Sequence, residues 1–201
     1  MANPPRPRRT QAARSRASRE KILREATRLF AEHGYRGASL SEIAGAVGMS
    51  EPGLLHHFPS KVELLTQVLE ERDRADREQY ARAGIEGKVN PLDSARAIVA
   101  HNQTVPGMVQ LFTVLAGESI HSEHPAHDYF VERYRSTREQ AVEPLRNGQE
   151  KGTVRRDVPA EDLAVMVLAM MDGLQIQWLL DPQQVDMSKV FDRFVDLIAA
   201  K

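Results

Sequence analysis

Aliphatic side chains recur along this chain at the three-and-four spacing of a helix, and no stretch sustains the period-two alternation of a half-buried strand. The pattern predicts an all-α protein. Its first stripe is Ile22, Ala26, Leu29 and Phe30, at i, i+4, i+7 and i+8. Ser18 stands ahead of that stripe as an N-cap, and Glu20 suits the positive first turn. Gly34 follows the last periodic residues and is free to adopt a left-handed cap. Ser39-Leu40-Ser41-Glu42 reads as a capping box that opens a short helix to about Val47. Gly48-Met49 makes a turn, and Ser50 is the next N-cap, with Pro52 in the first turn. Pro59 stops this third helix near Phe58. A second capping box, Ser60-Lys61-Val62-Glu63, opens a longer helix through Leu65, Val68 and Leu69. The chain loosens at Gly84, Gly87 and Pro91, and helices are then predicted around 92–104, 106–120, 127–148, 160–180 and 187–199.

Composition removes several function classes. The 201 residues include no Cys, which excludes disulfides, zinc-thiolate sites and a Cys nucleophile. A chain of this length buries a sizeable core without such staples. The longest purely apolar run, Leu163 to Met171, falls short of the ~18 residues of a membrane span. The basic N-terminus lacks the apolar segment of a secretory signal, so the expectation is a soluble, cytoplasmic protein with no membrane partner. The net charge of −1 conceals a split. Residues 1–65 carry 11 basic and 6 acidic groups (+5), and the remainder carry 16 and 22 (−6). A positive segment joined to a negative one suits a nucleic-acid-binding part attached to a part that does something else.

Residues 40–58 meet the physical needs of a helix-turn-helix. Ala44 is small enough for close helix crossing, Gly48 can turn, and Leu54 plugs the second helix back into the first. Ile43 and Val47 complete the buried face, and Met49 covers the turn. Such a unit places its second helix in the DNA major groove.

The run Arg19-Glu20-Lys21-Ile22-Leu23 through Leu29-Phe30-Ala31-Glu32-His33-Gly34-Tyr35 resembles the first helix of the TetR family of transcriptional regulators. Ser39 to Ala44, Gly48-Met49-Ser50, and Leu54-Leu55-His56-His57-Phe58-Pro59-Ser60-Lys61 extend the resemblance over about residues 18–70. The resemblance implies that Glu51, Pro52 and Gly53, with Ser50 at the head of the same helix and Ser41 from the helix before, meet the bases. Glu51 suits a cytosine amino group, Pro52 a thymine methyl, and Gly53 close backbone approach. It further implies phosphate anchors at Ser39, His57 and Lys61, and groove contact by His56. The family often carries Tyr where this chain has Leu55, which cannot make the hydroxyl contact and serves as an apolar contact or as packing. The implied organisation is a disordered basic arm over 1–17, a helix-turn-helix domain over 18–65, and a helical effector-binding and dimerisation domain over 66–201.

His121, His124 and His127, beside Glu123 and Asp128, invite a metal-site reading. Pro125 prevents one helical face from aligning them, and no H-E-x-x-H spacing occurs, so an inter-helix connection is expected instead. Ser119 lacks an esterase elbow, and there is no Gly-rich phosphate loop. Neither cofactor, metal nor catalytic set is expected. The stripe Leu163, Met166, Val167, Met170, Met171, Leu174 and Trp178 reads first as core or dimer interface. Its second reading is a cavity for a small apolar or amphipathic effector, lined by His101, Met108, Phe112, Met166, Met170 and Trp178. Leu163–Leu180 and Val190–Ile198, with Phe191, Phe194 and Val195, are expected to pair across a homodimer as a four-helix bundle. The function expected is a repressor that binds an inverted-repeat operator and is released by its effector. A constitutive DNA-binding protein with a filled core, or a helical enzyme, are the alternatives.

Overall fold

Local capping accounts for where the N-terminal helices start and stop. The Ser39 hydroxyl accepts from the Glu42 amide at 3.1 Å, and the Glu42 carboxylate accepts from the Ser39 amide at 2.9 Å. This closed box opens α2 (Leu40–Val47), which Gly48 ends at φ 75° and ψ 35°. The Ser50 hydroxyl accepts from the Gly53 amide at 3.3 Å to open α3 (Glu51–His57), and that of Ser60 accepts from Glu63 at 3.0 Å to open α4 (Lys61–Arg82). The computed structural model describes residues 11–82 and 90–200. Among them are nine helices and no strand beyond an isolated bridge between Val154 and Ala199. The remaining helices are α1 (Gln11–Gly37), α5 (Pro91–Thr104), α6 (Pro106–Glu118), α7 (His127–Glu150), α8 (Ala160–Leu180) and α9 (Met187–Ile198).

Two details of α1 correct the expectation. The helix is already formed at Gln11, so Ser18 lies inside it and residues 11–17 of the expected disordered arm are helical. The segment Gln11-Ala12-Ala13-Arg14 consists of good helix formers without Pro, which lets the helix run past a competent cap residue. The rest of the expected arm lies outside the described residues. Gly34 does not take the left-handed helical cap. It sits at φ 70° and ψ 178°, a region open in practice to Gly alone.

The buried residues form two clusters. The first joins Ile22, Ala26 and Phe30 of α1, Ile43 and Ala44 of α2, Leu54 of α3 and Leu64, Leu65 and Val68 of α4. It continues without a break into Leu111, Phe112 and Leu115 of α6 and Phe130 of α7. A boundary at residue 65 therefore divides the chain but not the packing. The second cluster gathers Leu92 and Val99 of α5, Leu163, Leu174 and Trp178 of α8, and Phe191, Val195 and Ile198 of α9. Taken over its full length, α8 is apolar enough to pass a composition test for a membrane span, which buried core helices also pass. Its outer side leaves Val165, Met166, Ile176 and Leu180 exposed beside Val190 and Leu197 of α9.

Candidate functional site

The surface of α2 and α3 presents Ser41, Ser50, Glu51, Pro52 and His56 to solvent, with Gly53 and Leu55 half-buried beneath them. Around this face the expected phosphate anchors are partly engaged within the protein. The Ser39 hydroxyl donates to the Glu42 carboxylate at 2.8 Å as well as capping α2. Those hydrogen bonds hold the Glu42 carboxyl below its ordinary range. The Lys61 ammonium lies 4.5 Å above the Tyr35 ring, and burial lowers its pKa against the opposing pull of Glu118 and Glu42. His57 is pushed down by burial first and by His56 and Arg19 next, so its imidazole favours the neutral form.

A joint ties this face to the C-terminal helices. The Tyr35 amide donates to Glu118 Oε2 at 2.7 Å, linking the last turn of α1, just past the Gly34 kink, to the end of α6. A Cβ at Gly34 would overlap the same carboxylate. Beside it, buried His124 sits edge-on to Tyr35 with 5.2 Å between ring centroids. His124 Nδ1 meets the Ser119 hydroxyl at 2.9 Å and accepts from the Ala126 amide at 3.2 Å. His127 Nδ1 lies 2.8 Å from the Ser119 carbonyl. These imidazoles fasten the α6–α7 connection, and no cluster of metal-ligating groups forms among the described residues.

A cavity of about 70 Å³ lies where the two core clusters meet, walled by α4, α5, α6, α7 and α8. The Arg72 guanidinium stacks 4.0 Å over the Phe112 ring, and that of Arg133 lies 5.3 Å from it. Asp73 pairs closely with Arg133 and lies 3.6 Å from Arg72. The Tyr134 hydroxyl donates to Asp172 at 2.8 Å. Burial raises the Asp172 carboxyl above its ordinary range, and burial followed by Asp172 raises the Tyr134 phenol.

Residues 22–68 match the model of the bacterial regulatory proteins of the tetR family, and residues 92–200 match that of BetI-type transcriptional repressors, C-terminal. The chain belongs to the TetR family. TtgR, an HTH-type transcriptional regulator of Pseudomonas putida, is 28% identical over 190 residues, 89% of this chain and 88% of its own. A TetR transcriptional regulator from Chloroflexus aurantiacus shares the fold with a TM-score of 0.79 at 21% identity, covering 94% of this chain and 99% of that one. AibR, solved with isovaleryl coenzyme A and operator DNA, shares it with a TM-score of 0.73 at 22% identity, covering 90% and 97%. Homology and fold are thus those of TetR-type transcriptional regulators, which are not enzymes.

Within this TetR-family chain the expected cavity residues separate. His101 and Phe112 line the cavity. Met108 packs on the first core, Met170 and Trp178 belong to the second, and Met166 is half-exposed on the outer side of α8. The cavity face of α8 is instead Leu168, Met171, Asp172 and Gln175, at i, i+3, i+4 and i+7. Helix geometry turns Met166 and Met170 away from that face.

Two of the basic residues counted in the positive N-terminal segment are engaged within the protein. The Arg19 guanidinium stacks 4.2 Å over Phe58 and donates to the His57 carbonyl, and Lys21 donates to the Val47 carbonyl at 2.8 Å. Both close helix ends inside the domain. Arg19 had a readable signal, because it falls on the stripe of Ile22 and Ala26 at i, i+3 and i+7.

Proposed function

We propose that this TetR-family regulator binds an inverted-repeat operator as a homodimer and that a small molecule entering the α4–α8 cavity releases it. The observation that carries this reading is the course of α4. Its first residue, Lys61, stands at the DNA face, and Arg72 on the same helix forms part of the cavity wall. At 1.5 Å per residue the two are about 17 Å apart along one rigid rod. A ligand that displaces Arg72 tilts the rod that sets the height of α2 and α3. The exposed apolar residues of α8 and α9 supply a self-complementary face for the two-fold pairing. Two recognition helices so paired read half-sites about 34 Å apart or a multiple of that. AibR, with both a small molecule and operator DNA in its structure, is a neighbour in which both partners occur together.

Fluorescence anisotropy with DNA from the regulator's own upstream region tests the proposal. Expected outcomes are binding that requires both half-sites, and release by at least one member of a broad small-molecule panel. Coupling of about 1–3 kcal/mol would weaken operator affinity about 5–150-fold. Binding that no compound alters would favour the constitutive reading, in which the small cavity is only a packing defect.

A further inference from the structure

We infer that Glu118, at the end of α6, is a positioning residue for DNA binding: by holding Tyr35 it fixes the place of the Lys61 ammonium at the DNA face. The inference rests on the DNA-binding reading above and adds a residue far outside 22–68, the segment matched by the tetR-family model. The helix break at Gly34 comes first. In an unbroken α-helix the Tyr35 amide would donate to the Ala31 carbonyl, four residues back. Gly34, at φ 70° and ψ 178°, interrupts that pattern. Side chains of α6 serve both halves of the interrupted pair. The Gln110 amide donates to the Ala31 carbonyl at 3.1 Å, and the Glu118 carboxylate accepts from the Tyr35 amide at 2.7 Å. A Cβ at position 34 would overlap that carboxylate, so only glycine leaves room for it. The direction in which Tyr35 leaves the kink is thus tied to α6.

Tyr35 in turn carries Lys61. The ammonium lies 4.5 Å over the Tyr35 ring, while His124 meets the ring edge-on at 5.2 Å and Phe30 packs at 6.0 Å. A lysine side chain is long and rich in rotamers, so ordering it on a phosphate costs affinity unless a contact already holds it. The Tyr35 ring is such a contact. Charge acts the same way. Burial disfavours the charged ammonium, and Glu118, ahead of Glu42, opposes it. Glu42 is itself committed to the Ser39 amide and hydroxyl. His124 borders Glu118 from the other side. The Ala126 amide donates to His124 Nδ1, which leaves the proton of the neutral ring on Nε2. That nitrogen is 3.6 Å from the same Glu118 oxygen that serves Tyr35. The carboxylate is bounded by Gly34, Tyr35 and His124, and moving it moves the ring beneath Lys61.

Fluorescence anisotropy of the full-length chain on a duplex from its own upstream region, over a series of salt concentrations, tests this. The variants are Glu118→Ala, Glu118→Gln, Lys61→Ala and the two double variants. Glu118→Ala should weaken binding at least about threefold and lower the salt dependence of log K by up to about one unit. A general charge effect has the opposite sign, since removing a negative charge tightens binding to DNA. Glu118→Gln still offers the Tyr35 amide an oxygen, without the charge, and should fall between the unaltered chain and Glu118→Ala. It carries the test alone should Glu118→Ala fail to fold. In the Lys61→Ala background both effects should shrink to less than about twofold, because the residue through which they act is gone. Unchanged or tighter binding by Glu118→Ala, or by Glu118→Gln where it stands alone, overturns the inference and leaves DNA binding standing. So do equal losses with and without Lys61. If the unaltered chain binds no duplex even at low salt, the DNA-binding reading falls and the inference with it.

Discussion

The two core clusters put their charged residues to opposite uses. In the first, cations close the structure. Arg19 covers Phe58 and reaches the end of α3, Lys21 caps the last turn of α2, and the apolar interior is sealed behind them. Where the first cluster meets the second, Arg72, Arg133 and Asp172 help line a space that no side chain fills, and the outer faces of α8 and α9 leave large apolar residues in solvent. One region is closed on itself. The other encloses unfilled space and leaves apolar helix faces in solvent, the two features on which the proposed effector and two-fold pairing rest. Under the proposed switch a reader of DNA needs a fixed shape and a sensor needs two arrangements of similar free energy, and a region with unfilled space provides those more readily than a sealed one.

The largest expected effect tests whether the sealed region is separate at all. Phe30 is fully buried in the cluster that joins α1 to α6. Phe30→Ala should cost about 3–5 kcal/mol. The single Trp, Trp178, reports on the second cluster, while circular dichroism reports on the whole chain. In urea both probes should shift together, because the first cluster extends into α6 and α7. A transition that moves by dichroism alone would show that the regions unfold independently.

Next comes the joint between them. Gly34→Ala imposes a side chain where φ and ψ exclude one and where the Glu118 carboxylate stands, so the Tyr35–Glu118 hydrogen bond is lost. About 3 kcal/mol is expected, from backbone strain plus a charged hydrogen bond. Gly48→Ala is the control. Its φ is also positive, but no atom lies within 4 Å of the added Cβ, so about 1 kcal/mol is expected. Equal losses by thermal denaturation would deny the joint any special role.

What could be read before the structure follows the range of the interactions involved. The starts of α2, α3 and α4 were legible because Ser39, Ser50 and Ser60 bond to amides three residues on. Pro91, Pro106 and Pro159 marked the later helices in the same local way. The Tyr35–Glu118 bond spans 83 positions and leaves no local trace. The cavity face of α8 was hidden for a different reason: the helix is apolar almost all round, so periodicity does not select a side. Asp172 and Gln175, the first polar side chains after the nine-residue apolar run of α8, were the available signal, and the methionines drew attention from them.

A smaller effect separates cations that read DNA from cations that clamp. Lys61→Ala should weaken binding to every DNA sequence and lower the salt dependence of log K by about one unit per lost phosphate contact. It should also cost about 0.5–1 kcal/mol of stability through the lost contact with Tyr35. Arg19→Ala should do the reverse, losing the Phe58 and His57 contacts while leaving the salt slope unchanged. A changed slope for Arg19→Ala would make that residue a DNA contact as well as a clamp.

The last and smallest effect concerns pH at the joint. Burial, the largest influence on His124, holds its pKa below the ordinary 6.5, while Glu118 at 3.6 Å pulls the other way and Arg36 and His121 reinforce burial. The unfolded chain then takes up a proton more readily than the folded one. The stabilising contribution is complete above the unfolded value and drains away as pH falls below it. His57 is depressed in the same direction, so the His124→Gln variant should lose part of the acid sensitivity and not all of it. Unfolding free energies at about pH 7.5 and about pH 5.5 measure this as a difference of differences, unaffected by the packing the variant loses at both values. If the variant instead becomes more acid-sensitive, Glu118 outweighs burial, His124 is charged in the folded protein, and the joint is held by an ion pair.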